Sequence, residues 1–180
     1  MNTILSQTGS FEFRFYAPAR FSLRLSVSLI TLLLLLGGLG KEAWAEPPKV
    51  VGGLPLVHAQ RGKEALEAIN RLHGKEIGGR DGYVAHYERG GLVAMLYISE
   101  ASFSFQAGRQ LKRMAERIQK GNTPFYHLKA SERDGVTVYS APLGEGQIHY
   151  FYRKGARVFW LAADAPVATK ALEELLEQNP

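Results

Sequence analysis

The chain is 180 residues long, carries 22 Lys and Arg against 17 Asp and Glu, and has no cysteine. That length leaves room for one domain with a sizeable core, and the missing cysteines exclude disulfides, thiol nucleophiles and cysteine-ligated metal. A net charge of +5 is too mild to name a partner unless it is concentrated in one place.

The first element is a leader. Arg14, Arg20 and Arg24 precede an apolar run over residues 25–39, and Ala43-Trp44-Ala45 stands before Glu46-Pro47-Pro48. A basic flank, a short apolar helix and a small-x-small site are the parts of a secretory signal peptide. The run is shorter than the roughly 20 apolar residues that a spanning helix needs. Residues 1–45 are therefore expected to be a cleavable signal peptide. The protein would be exported to the periplasm or the cell exterior, with no stable membrane span after cleavage. The alternative is a retained leader acting as an N-terminal anchor. The leader holds four of the basic and two of the acidic residues, so the remainder carries 18 Lys and Arg against 15 Asp and Glu.

Residues 46–62 contain Pro47, Pro48, Gly52, Gly53, Pro55 and Gly62 with no lasting periodicity. They read as an extended segment leading into a single α+β domain over 63–180. Leu66, Ile69 and Leu72 then fall at helical spacing and stop at Gly74, a natural helix-ending residue. Strand-like runs over 83–88 and 92–99 flank Arg89-Gly90-Gly91 and predict a β-hairpin. Ser99 or Ser102 is placed to cap the next helix. Within it Ala107, Leu111, Met114, Ala115 and Ile118 form one apolar stripe, and Gly121 ends it. Four more strands follow over 125–130, 136–141, 147–153 and 156–163, separated by glycine-containing turns. Asp164 caps a last helix with Pro166 in its first turn. The order α-ββ-α-ββββ-α, with short links, predicts an antiparallel sheet of about six strands with three helices packed mainly on one face.

Three constellations could carry function. Arg109, Arg113, Arg117 and Lys120 share one face of the second helix, where residues three and four apart are neighbours. Such a ridge suits an anionic envelope component or another envelope protein, although exposed cations are also the ordinary content of a helix surface. Export removes nucleic acid as the usual partner. In the sheet, alternation sends Ile148, Tyr150 and Tyr152 one way and His149, Phe151 and Arg153 the other. Tyr150, Tyr152 and Arg153 join the candidate partner-binding residues, because aromatic platforms beside polar donors suit flat or apolar ligands. Lastly, His86, His127 and His149 lie beside Tyr87, Tyr126 and Tyr150, and imidazole with phenolate can ligate a metal or haem iron. No HxH or HExxH spacing supports that site.

Catalytic signatures are missing: there is no GxSxG, no P-loop, and no GxGxxG between strand and helix. The reading is an exported, non-catalytic binding or interaction domain that needs no cofactor. The alternative is a metal- or haem-binding periplasmic protein using the strand histidines and tyrosines.

Overall fold

The structure, a computed structural model, describes residues 46–74, 76–121, 123–144 and 146–178. The leader expected over 1–45 lies outside the described residues.

In chain order the elements are β1 (Val50–Val51), β2 (Leu54–Arg61), α1 (Gly62–His73), β3 (Asp81–Arg89) and β4 (Leu92–Glu100). They continue with α2 (Ser104–Gln119), β5 (Lys129–Arg133), β6 (Val136–Leu143), β7 (Gln147–Lys154), β8 (Arg157–Asp164) and α3 (Ala165–Glu177). Turn chemistry sets the hairpins. Gly52-Gly53, Gly90-Gly91 and Asp134-Gly135 all have positive φ, as a two-residue turn matching the strand twist requires. The strands make one antiparallel sheet in the order β1-β2-β3-β4-β8-β7-β6-β5. It is two meanders, β1–β4 and β5–β8, joined along β4 and β8.

The α+β class stands, with eight strands in place of about six. The extra pair comes from the segment expected to be merely extended. Its prolines obscured a hairpin, yet Pro55 pairs only with the two-residue edge strand β1, where the ladder has little to lose. The strand expected over 125–130 begins only at Lys129, and Phe125 instead turns its ring onto the sheet, 5.4 Å from that of Trp160.

Neither predicted cap forms as a side-chain hydrogen bond. Phe103 occupies the N-cap of α2, while Ser99 stays in β4. Asp164 does hold the N-cap of α3, but its carboxylate accepts from the Val93 amide at 2.8 Å, fastening β8 to the start of β4.

Helices cover both faces. α1 packs Ala65 and Ile69 on Val84, and α2 packs Ala107, Leu111, Ala115 and Ile118 on Ala141, Phe151 and Val158. The third helix goes to the opposite face, where Ala168, Ala171, Leu172 and Leu175 meet Ala85, Ala94, Leu96 and Ala163. Small residues on both sides let this helix lie close to the sheet. Gly52 sits against it: a Cβ there would stand 3.0 Å from the Ala171 Cβ, and its amide donates to Glu174 at 2.6 Å. All three cores close within the compact unit Ala45–Pro180. No helix among the described residues is long and apolar enough to cross a membrane.

Candidate functional site

The sheet face beneath α1 and α2 carries an aromatic row. Tyr139, Phe151, Trp160 and Tyr97 are successive cross-strand partners on β6, β7, β8 and β4. Tyr139 stacks on Phe151 with ring centres 5.1 Å apart, and Phe151 stacks on Trp160 at 5.0 Å. Aromatic pairs of this kind add to the plain burial of their area.

A cleft of ≈ 610 Å³ opens onto that row between α1 and α2. Ile69 and Leu72 form one wall, Met114 and Ile118 the other, with Met95, Tyr97 and Trp160 beneath. Its size and mainly apolar lining fall within the range of small-molecule sites. Leu72 stays 66% exposed at the lip, which is unusual for a leucine on the apolar stripe of a helix.

The polar groups of the cleft are mostly engaged. Trp160 Nε1 donates to His149 Nδ1 at 2.9 Å, so the proton of a neutral ring sits on Nε2, which faces Gln147 Oε1 at 3.3 Å. Burial pushes the imidazole down to about 4, and it is therefore neutral at pH 7. Ser99 Oγ accepts from Gln110 Nε2 at 3.4 Å. Its neighbour is thus an amide rather than a base, and no carboxylate appears among the described residues of the lining. Two other polar side chains of the lining are His73, whose Nδ1 lies 2.9 Å from the Ile69 carbonyl, and Thr123, whose buried hydroxyl has no partner among the described residues. Arg117 stands at the edge on the α2 side, and burial raises the Tyr97 phenol above its ordinary value.

No protein-family model, curated protein or solved structure matches the chain. Its function must be read from its own residues.

The structure distributes the candidate residues unevenly. Arg109, Arg113, Arg117 and Lys120 are all exposed along α2, and none forms an ion pair among the described residues. Lys112 is paired with Glu116 at 3.8 Å, leaving the ridge itself uncompensated. Tyr150, Tyr152 and Arg153 do not share a surface. Tyr152 is fully buried on the α3 side and Tyr150 packs beside that core, whereas Arg153 is exposed and donates to the Gly155 carbonyl at 2.9 Å.

The histidines are separate. His86 lies 3.3 Å from Glu88 on β3, His127 is exposed ahead of β5, and His149 is committed to Trp160. Among the described residues no group of three His, Asp or Glu is placed to hold a metal ion.

One cluster had no signal in the sequence. Glu100, only 5% exposed, accepts from Arg157 Nε at 3.0 Å and from Arg80 Nε at 2.8 Å. Burial pushes its carboxyl up, but the hydrogen bonds and charges of Arg157 and Arg80 outweigh this and hold it below the usual range. The group ties the beginnings of β3 and β8 to the end of β4. It is a structural clasp at the end of the central strands.

Proposed function

We propose that this is an exported, non-catalytic binding protein whose cleft between α1 and α2 receives an apolar small molecule. The cleft itself carries the reading: ≈ 610 Å³ lined by methionine, isoleucine and aromatic side chains, with Trp160, His149, Ser99 and Gln110 engaged with one another and the buried Thr123 hydroxyl left without a partner among the described residues. A ligand entering it gains apolar contact and leaves few buried donors unmatched. An anionic or polar end of that ligand would meet Arg117 at the edge. Export is supported by the leader, which combines a basic flank, a short apolar run and a small-x-small site.

Trp160 is the natural reporter, being one of two tryptophans in the chain, with Trp44 in the leader. Titrating the Ala45–Pro180 unit with anilinonaphthalene sulfonate, a flat apolar probe with an anionic end, should give saturable binding and a change in Trp160 emission. Met114→Arg should abolish the effect, and Arg117→Gln should weaken binding of the anionic probe without shifting the unfolding midpoint. Unsaturable binding, or binding indifferent to Met114→Arg, would sink the proposal.

A further inference from the structure

The outer face of α2 begins with two phenylalanines that the core does not use. Phe103 is 59% and Phe105 56% exposed, and their rings stack with centres 5.6 Å apart. The guanidinium of Arg109 lies 4.9 Å over the Phe105 ring. From there Arg113, Arg117 and Lys120 continue along the exposed side of the same helix, unpaired among the described residues. An exposed aromatic pair is costly in water, and a soluble polyanion binding the cations would leave it wet. A bilayer surface takes both at once. The rings enter the boundary between headgroups and acyl chains while the cations meet anionic headgroups, as in helices that lie in the membrane interface.

We propose that Phe103, Phe105, Arg109, Arg113 and Arg117 form a docking surface for an anionic lipid bilayer. The inference does not depend on the cleft being occupied. Arg117, at the cleft edge, is common to both surfaces, whereas Phe103, Phe105, Arg109 and Arg113 are not in the cleft lining and Met114 and Ile118 are.

The test is co-sedimentation of the Ala45–Pro180 unit with phosphatidylglycerol-containing or pure phosphatidylcholine vesicles, at about 0.05 M and about 0.5 M salt. Wild type should sediment with the anionic vesicles only, and lose binding at the higher salt. Replacing Arg109, Arg113 and Arg117 together by Gln should weaken binding roughly 100-fold, since each cation near a charged surface contributes about a five-fold factor. Phe103→Ser with Phe105→Ser should also weaken it at low salt. These sites are exposed, so neither variant should melt below wild type, and Phe103→Ser places a favoured capping residue at the N-cap of α2.

A Phe105→Trp variant supplies a second readout that pure charge attraction would leave unchanged. Its added emission should be quenched by lipids brominated on the acyl chain. No binding by wild type overturns the proposal, as does equal binding to both vesicle types. Binding unaffected by the double Phe replacement, or emission from the Phe105→Trp variant that brominated lipid leaves unquenched, overturns it in favour of a soluble polyanion or acidic protein.

Discussion

His149 shows how far one buried side chain can be understood from its neighbours. Its ring accepts from one partner and donates to another only when neutral, so a second proton would confront the Trp160 N–H. The unfolded chain takes up that proton near pH 6.5, whereas the folded ring resists until about 4. A folded-state value below the unfolded one means that stability is complete above about 6.5 and declines as pH falls towards 4. Between pH 7 and 4.5 this site should cost on the order of 2 kcal/mol. Glu100 acts lower, because its depressed value places its loss below 4.5. Denaturant melts of wild type and His149→Gln across this range should therefore not run parallel, the variant showing the shallower decline and the gap between them narrowing as pH falls. Parallel pH profiles would mean that the ring is already charged or freely solvated in the folded protein. The buried hydroxyls of Tyr83, Tyr87 and Tyr152 have no partner among the described residues, and burial raises all three phenols. They keep their protons throughout and contribute nothing to this titration.

Among the elements, α2 was the most legible in the sequence, since its stripe repeats over three turns. Ala107, Leu111, Ala115 and Ile118 are buried, and Met114 is half-buried because it faces the cleft rather than the sheet. Leu111→Ala should destabilise the fold by about 2–4 kcal/mol, the range for removing a core leucine. A change within about 0.5 kcal/mol in denaturant melts would place Leu111 at the surface. The hairpins around Gly90-Gly91 and Asp134-Gly135 were legible for a different reason, because positive φ at successive positions leaves few residue choices. Gly52-Gly53 carried the same information, but β1 has only two residues, too few for alternation to register. The caps failed because Ser99 and Asp164 found other work: one hydroxyl meets Gln110 in the cleft, and one carboxylate holds the Val93 amide. A side chain's long-range partner is invisible in a local pattern. The cleft was hidden for that reason too. Its aromatic floor was visible as alternating strands, but which helix would cover which face depended on pairing between distant strands.

At the scale of the whole molecule, the leader and the folded unit make separable claims. If the leader is a signal peptide, protein recovered from its native host should begin at Glu46 by N-terminal mass analysis and lie in a soluble extracytoplasmic fraction, following the Ala43-Trp44-Ala45 site. Retention of the whole chain in the membrane fraction would favour the anchor. Helices on both faces bury the aromatic rows of the sheet in a chain that has no cysteine. The α3 side is closed over the central strands by alanine-lined contact, and on the other side α1 and α2 cover the sheet on either side of the cleft, while the edge strand β5 stays exposed.

The join between β4 and β8 has a consequence in time. Ala94 pairs with Ala163 and Ser99 with Val158, so the middle of the sheet is assembled from strands far apart in the chain. Until residues 157–164 have been delivered, β4 presents a bare row of amides and carbonyls, and the N-terminal meander cannot finish its ladder. Pairing across so long a loop is slow compared with closing a hairpin. A chain of this design can complete its sheet only when its last strand arrives. If the leader directs export, that timing would suit a route that admits only unfolded polypeptide.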